Sequence, residues 1–198
     1  VFSSHYYVYP IDREKNTFTY VGDISDDLSV EMKYSDIVYK NDQDSLGGEN
    51  FGHHRITLSS GEYAYPTGDQ YRSANEVAIE DEQTSIKATY LAGNHTITFG
   101  YELIDRFAYN LFIPYENGRW RWNSVDDFVN GNMTYMRFIK PWDNNFATAA
   151  AGAEVEFETL YVEDVVDVSD ILTINFGVRV DTMVTTSEIP LNPNFSAI

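Results

Sequence analysis

Four alternating residues in the middle of the chain carry its clearest binding chemistry. Aromatic rings and guanidinium groups can stack on a sugar or a peptide, and they can also pair with each other as cation–π contacts. We therefore predict ligand contacts from Tyr115, Arg119, Trp120, Arg121 and Trp122. Two alternatives remain open: cation–π pairs formed within this segment, or a strand with tryptophans on one face and arginines on the other.

The only adjacent histidines, His53 and His54, could bind a metal. Neighbouring side chains of an extended segment point apart, so a shared site is awkward and we favour surface histidines. Two acidic clusters could hold calcium through carboxylate oxygens, but neither has the full spacing of a calcium loop. Ordinary turn chemistry explains them better. The clusters are Asp23, Asp26 and Asp27, and Asp42 with Asp44.

Catalytic motifs are missing from the sequence. It has no Gly-x-Ser-x-Gly elbow, no His-Glu-x-x-His and no phosphate-binding loop. A glycan-processing enzyme would need two carboxylates facing each other across a cleft, and nothing selects such a pair. We predict no catalytic residue, no metal site and no cofactor, and hence a protein that is not an enzyme.

The charge balance limits the possible partners. The chain has 31 acidic and 13 basic residues, for a net charge of −18. Phosphate binding requires clustered lysine and arginine, so the composition argues against nucleic acid as a partner. Cysteine is absent, which excludes disulfides and cysteine-ligated zinc. No signal peptide and no apolar run of about 18 residues is present, so a membrane role would require strands.

Strict alternation in two segments predicts the elements that position these residues. In residues 94–105, apolar side chains at Ile97, Phe99, Tyr101 and Leu103 alternate with polar or small ones. Residues 169–181 repeat the pattern. A period of two indicates strands with one apolar and one polar face. Glu102, Arg179 and Asp181 fall on the polar faces, where charged side chains usually form structural pairs.

The complete pattern predicts an all-β chain. Strands are expected at 28–39, 80–92, 95–109, 153–167 and 171–183, with weaker signals at 17–21 and 55–58. A capped helix is expected at 124–128, and an irregular tail from Pro190 to Ile198. Long loops are expected at 40–79 and 110–152, whereas the turns at 23–27, 93–94 and 168–170 are short.

Short and long connections alternate along the chain. If the strands run up and down, all short turns lie on one side and all long loops on the other, which is the plan of an outer-membrane barrel. A sandwich has no reason to sort its loops in this way. We therefore predict antiparallel up-and-down strands of a transmembrane β-barrel with long extracellular loops, as one partial domain over residues 1–198. The abrupt ends favour a fragment.

Two motifs carry a family resemblance. The first is His-Thr-Ile-Thr-Phe-Gly-Tyr-Glu at 95–102, followed by Gly118, Ser124, Asp127, Phe128 and Gly131, and the second is the final hairpin ending Gly-Val-Arg-Val-Asp at 177–181. With them, residues 83–181 resemble the barrel of TonB-dependent outer-membrane receptors, with the Oar-like group as the nearest. Two departures concern the subgroup. Glu163-Asp164-Val165-Val166 lacks the tryptophan that is usual there, and Val180 replaces an aromatic residue.

The resemblance implies a function and a location. Such receptors lie in the cell outer membrane of Gram-negative bacteria, in contact with its lipid, and admit an extracellular ligand without covalent chemistry. TonB, the energy-coupling partner, would act through a plug that is missing from this chain. Glu102, Arg179 and Asp181 would face the lumen. The alternative is a soluble, secreted all-β binding or adhesion module whose acidic loops would hold calcium.

Overall fold

The computed structural model describes residues 2–47 and 51–187. The tail predicted from Pro190 to Ile198 lies outside the described residues. The strands are β1 (Tyr7–Val8), β2 (Asp12–Ser25), β3 (Leu28–Asp42), β4 (Asp44–Ser45), β5 (His53–Thr57), β6 (Tyr63–Ala64), β7 (Asn75–Ala92), β8 (His95–Phe112), β9 (Arg119–Trp122), β10 (Tyr135–Arg137), β11 (Ala151–Ser169) and β12 (Leu172–Thr185). Helix α1 spans Val125–Asn130, and 3-10 turns span Ser3–His5 and Phe146–Ala149.

The contacts divide the chain into two compact units, described here separately. The first, which we call the loop unit, comprises Val1–Arg13, Tyr39–Ala78 and Tyr109–Gly152. The second, the sheet unit, comprises Glu14–Val38, Ile79–Ala108 and Ala153–Ile198. Sequence analysis predicted one domain over the same residues.

The sheet unit is built on a six-stranded sheet with the order β12-β11-β8-β7-β3-β2. Each strand lies beside the next long strand of the sequence, so the sheet is an up-and-down meander. Leu91 donates its backbone N–H to Asp27, and Asp167 donates to Asn94, so β3 runs antiparallel to β7 and β8 antiparallel to β11. The antiparallel all-β prediction is confirmed.

The turns of this meander are sorted by length. Two-residue connections join β2 to β3, β7 to β8 and β11 to β12, and all three lie at one end of the strands. Gly93 in the second connection adopts φ 67°, which a glycine reaches at little cost. The chain between β3 and β7, and between β8 and β11, leaves from the opposite end.

Polar contacts across the strands identify one face of the six-stranded sheet. Thr17 on β2 bonds Ser35 on β3 at 3.0 Å, and Lys87 on β7 pairs with Glu31 on β3 at 3.0 Å. Further links join Arg106 to Asp81 at 2.6 Å between β8 and β7, and Arg179 to Glu102 at 3.7 Å between β12 and β8. We call this the polar face.

Alternation places the apolar side chains on the opposite face, which we call the apolar face. On β11 and β12 the register pairs Val162 with Val178 and Leu160 with Val180 on that face. The corresponding side chains on the other strands include Phe18, Tyr34, Ile86 and Phe99, all exposed to more than a third of their surface. A row of carboxylates follows on the same face, farther from the short turns: Asp36, Glu80, Glu82, Asp105, Glu156 and Glu158.

The strand predictions need correction at their boundaries. Every predicted strand exists, but β7 begins at Asn75 and β8 continues to Phe112. The first strand, β2, covers Asp12–Ser25, much more than the short segment expected at 17–21. Both faces of this edge strand are exposed, so polar and charged residues occupy both faces at its start, and the sequence shows no alternation there.

The segments predicted as long loops at 40–79 and 110–152 are wrong as purely irregular structure. The loop unit contains a four-stranded sheet with the order β10-β9-β5-β6, and a small β1-β4 ladder. These strands have only two to five residues, too few for a clear period. Ala74, Leu111 and Ile113 form a small core beside them.

Helix α1 confirms the predicted capped helix. The Ser124 hydroxyl accepts a hydrogen bond from the Asp127 N–H at 3.0 Å, and Gly131 ends the helix at φ 74°. No helix among the described residues is long and apolar enough to cross a membrane.

Candidate functional site

The predicted ligand-contact residues lie in the four-stranded sheet of the loop unit, with β9 in the centre. β9 pairs antiparallel with β10 and parallel with β5, so Arg119 lies opposite both Arg137 and His53. Gly118 precedes the strand at φ 84°. Its carbonyl accepts the His53 N–H at 2.8 Å, which aligns the start of β5 with the start of β9.

One face of this sheet, the aromatic face, is organised around His54. The imidazole stacks on Trp120 and on Trp122, with ring centroids 5.8 and 5.9 Å away. Trp122 donates its indole N–H to His54 Nδ1 at 3.1 Å. Phe128 from α1 packs edge-on against Trp122 at 5.3 Å. Burial lowers the pKa of His54, which keeps the imidazole neutral and able to accept that hydrogen bond.

The other face of the sheet, the arginine face, carries four guanidinium groups. Register places Arg119 opposite Arg137 and Arg121 opposite Arg55. Residues two apart on a strand share a face, so the four arginines form one group. Like charges directly opposite each other destabilise a sheet. In the sheet unit, arginines such as Arg106 pair with carboxylates. None of the four arginines on this face forms an ion pair with a carboxylate among residues 2–47 and 51–187.

Tyrosine rings support the arginines in place of acids. Arg119 and Arg137 lie over the Tyr115 ring, 5.6 and 5.0 Å from its centroid. In the same way Arg55 lies 4.4 Å from the Tyr63 ring and Arg121 lies 4.8 Å from the Tyr135 ring. Such contacts hold a cation without neutralising it. A hydrogen bond from Tyr71 is the largest cause of a lowered pKa at Tyr115, and the positive charge of Arg119 adds to it.

Buried polar atoms on the arginine face lack partners. The Nε atoms of Arg55, Arg119 and Arg121 and the Nδ1 atom of His53 are buried without a hydrogen bond among the described residues. His53 is only 3% exposed, and its pKa falls to about 4 because of burial first and then the charges of His5, Arg119, His54 and Arg55. The field on this face is therefore positive, although the chain as a whole is strongly acidic.

The two histidines point to opposite faces of the sheet, as expected for neighbours on a strand. His53 contacts the rings of His5 and Tyr65, and the expectation of surface histidines is wrong for His53, which is buried. Within the described ranges no group of three or more histidine, aspartate or glutamate side chains is placed to hold a metal.

In the acidic cluster of Asp42 and Asp44, burial is the first cause of a raised pKa at Asp42, followed by the charges of Glu76 and Asp44.

The predicted ligand-contact residues therefore lie in and beside one sheet, but on both of its faces. Arg119 and Arg121 lie on one face, and Trp120 and Trp122 on the other, so a ligand on the arginine face would meet Tyr115 but neither tryptophan. Trp122 is buried against His54 and Phe128. Ligand contact by these residues stays a prediction.

Arg55, Arg137, Tyr63 and Tyr135 were missed. A weak signal existed for them: Arg55 starts the short strand expected at 55–58, and Tyr-Met-Arg at 135–137 alternates. No local pattern predicts that β5 pairs in parallel with β9, because the two strands are separated by more than sixty residues in the sequence.

The predicted lumen-facing residues form a connected group on the polar face of the sheet unit. Arg179 donates to Asp181 at 2.9 Å and lies 3.7 Å from Glu102. Asp181 also accepts a hydrogen bond from Thr159 at 2.6 Å. The arrangement agrees with the expected structural pairing of these charges.

A scan against protein-family models, a search of curated proteins and a search of solved structures each found no match to the chain.

Proposed function

We propose that the chain is a barrel segment of an outer-membrane receptor of the TonB-dependent type, which takes up a ligand without covalent chemistry. The observation that carries the proposal is the apolar face of the six-stranded sheet. Phe18 is 68% exposed and Val178 is 66% exposed on that face. A soluble antiparallel sheet buries its apolar face and leaves the polar face to water.

The polar face supports the same interpretation. Its charges are paired across strands, with Arg106 and Asp81 joined by two hydrogen bonds at 2.6 and 2.7 Å. Membrane barrels turn apolar side chains to lipid and polar side chains to a wet interior. The carboxylate row on the apolar face, which includes Glu80 and Asp105, would then lie beyond the outer edge of the lipid-facing band.

The edges of the sheet call for further strands. Among the described residues β2 and β12 each have one neighbour, and β12 is exposed along its whole length. Unpaired backbone groups are costly in lipid, so a membrane sheet must close. The resemblance to TonB-dependent receptors supplies the missing neighbours, because their barrels have about 22 strands.

The sorting of connections gives the orientation. The two-residue turns would face the periplasm, and the segments between β3 and β7 and between β8 and β11 would face the exterior. The loop unit is built from these outer segments and would supply the ligand contacts. The energy-coupling partner TonB would act through a plug outside this chain.

Fractionation of the native full-length protein, combined with protease treatment of intact cells, tests the proposal. We expect recovery in the outer membrane and cleavage confined to residues 43–74 and 113–150, mapped by mass spectrometry. Recovery in the soluble fraction, or cleavage of intact cells at Gly93 or Ser169, would reject the receptor and favour a secreted binding module.

A further inference from the structure

We propose that the arginine face of the four-stranded sheet binds a small anion with at least two carboxylate or phosphate groups. The inference rests on contacts within the loop unit alone. It adds a ligand class to the proposed receptor, but it does not depend on the location of the sheet unit in a membrane.

The first argument is the unbalanced charge. Arg55, Arg119, Arg121 and Arg137 share one face, and no carboxylate among the described residues pairs with them. The chain has 31 acidic residues and 13 basic ones, so an acidic partner would be easy to place. Neighbouring cations repel each other, and the positive charge of these four is not compensated by any described carboxylate. An external anion would therefore be attracted to this face.

The second argument is the set of unpaired donors. Among the described residues the Nε–H groups of Arg55, Arg119 and Arg121 are buried without a partner, and a buried donor without a partner is costly. An oxyanion would satisfy them. Nε and one Nη of a guanidinium form a planar fork that matches the two oxygens of a carboxylate or phosphate.

The third argument is the spacing. Arg119 and Arg137 form one row across the strands, and Arg55 and Arg121 form the next row. Neighbouring strands lie about 4.8 Å apart, and residues two apart on a strand are separated by about 7 Å. One oxyanion can bridge the arginines of a row, and a second can reach the other row. A dianion or trianion of small size therefore fits better than a single carboxylate.

The face is held in place and remains open. Stacking on Tyr63, Tyr115 and Tyr135 fixes the guanidinium planes, which lowers the entropy lost when they bind. Tyr63 is 49% exposed and Tyr135 is 38% exposed, so a solute can approach along the side formed by Arg55, Arg121 and these rings.

Titration of the purified full chain with citrate and with inorganic pyrophosphate tests the inference, with acetate as a monovalent comparison. Calorimetry measures the dissociation constant at low and at physiological salt. We expect citrate or pyrophosphate to bind at least tenfold more tightly than acetate, and added salt to weaken the binding. The preferred probe identifies the natural group as carboxylate or phosphate.

Matched variants assign the binding to the arginine face. We expect Arg119→Met and Arg121→Met each to weaken binding of the preferred probe at least tenfold. Arg13→Met makes the same change of charge on the exposed strand β2, outside the four-stranded sheet, and should leave the dissociation constant within twofold. Arg121→Lys keeps the charge and loses the planar fork, so an intermediate affinity is expected.

Folding and binding are separated by the tryptophans of the aromatic face. Trp120 and Trp122 report the state of the sheet through their fluorescence, and an unchanged spectrum shows that a variant has folded. No binding of either polyvalent probe by the folded wild type overturns the inference, as does an equal loss of affinity in Arg13→Met. Neither outcome bears on outer-membrane location, which fractionation decides separately.

Discussion

The ion pair between Arg106 and Asp81 is the best-buried charge interaction of the polar face. Asp81 is buried, and its two oxygens accept hydrogen bonds from Arg106 Nε and Nη2 at 2.6 and 2.7 Å. The Arg106 side chain stays 41% exposed, but its loss leaves the buried Asp81 carboxylate without a partner, which costs more than the pair itself contributes. An exposed pair such as Lys33–Glu31, at 3.7 Å, contributes little.

We expect Arg106→Met to lower the free energy of unfolding by about 2–4 kcal/mol, and Lys33→Met to change it by less than about 0.5 kcal/mol. Urea denaturation of the folded full-length protein measures both. The double variant Arg106→Met/Asp81→Leu should recover part of the loss, because it leaves no buried charge. Equal effects of Arg106→Met and Lys33→Met would contradict the assignment.

His53 predicts a pH dependence of the loop unit. Its pKa in the folded state is about 4, against 6.5 for an unperturbed histidine. Between these two values the unfolded chain binds a proton that the folded chain does not, so stability is complete above about pH 6.5 and falls as the pH is lowered towards 4. The slope reaches about 1.4 kcal/mol per pH unit.

Tryptophan fluorescence in a Trp142→Phe background follows this loss at Trp120 and Trp122. We expect the acid transition to become shallower in His53→Phe. A residual dependence should remain, because burial also lowers the pKa of His54. An unchanged acid transition in His53→Phe would show that other groups control it.

At the residue scale the sequence indicated chemistry but not contacts. Alternation in Arg-Trp-Arg-Trp correctly offered a strand with separate aromatic and basic faces as one alternative. The sequence could not show whether these arginines form cation–π pairs, because their partner rings, Tyr63 and Tyr135, come from distant parts of the chain. The partners of a guanidinium depend on tertiary pairing, and no local spacing encodes them.

At the scale of elements, Gly100 on β8 leaves room for an aromatic ring from β11. The ring of Tyr161 on β11 occupies the space where a Cβ of residue 100 would lie. An aromatic ring over a strand glycine covers the exposed backbone and adds cross-strand contact. The pair therefore stabilises the β8–β11 interface through shape rather than charge.

We expect Gly100→Ala to destabilise the sheet by about 1–3 kcal/mol, because Tyr161 must leave its position. In a Tyr161→Ala background the same substitution should be nearly neutral, since the space is then free. Urea denaturation of the two single variants and the double variant gives the coupling. Additive effects would show that Tyr161 is not the group that excludes a side chain at residue 100.

Long strands with a clear period were predicted well, and the very short strands were not. β8 and β12 have 18 and 14 residues, and their period was evident in the sequence. β9 and β10 have four and three residues, so their apolar positions are too few to define a period. Helix α1 has only six residues, but the capping residues Ser124 and Gly131 mark its two ends, and the helix was predicted.

At the scale of the whole molecule, the open question is which solvent meets the apolar face of the six-stranded sheet. The chain contains no cysteine, so single-cysteine variants carry one label each. Phe99 and Val178 represent the apolar face, and Thr98 and Asn175 the polar face. Phe99 and Thr98 are neighbours on β8, so that pair differs only in the face it samples. Val178 and Asn175 lie three residues apart on β12 and therefore also differ in depth by about 10 Å.

We expect spin labels at Phe99→Cys and Val178→Cys in native outer membranes to be accessible to oxygen and protected from a water-soluble nickel complex. Labels at Thr98→Cys and Asn175→Cys should show the reverse, because a water-filled interior admits the polar nickel complex. Oxygen dissolves preferentially in the hydrocarbon of the bilayer, so the contrast identifies lipid and not merely burial. Nickel access on both faces would mean that water covers the apolar side chains, and protection from both reagents would mean a protein core. Either result would remove the membrane assignment while leaving anion binding by the loop unit to its own test.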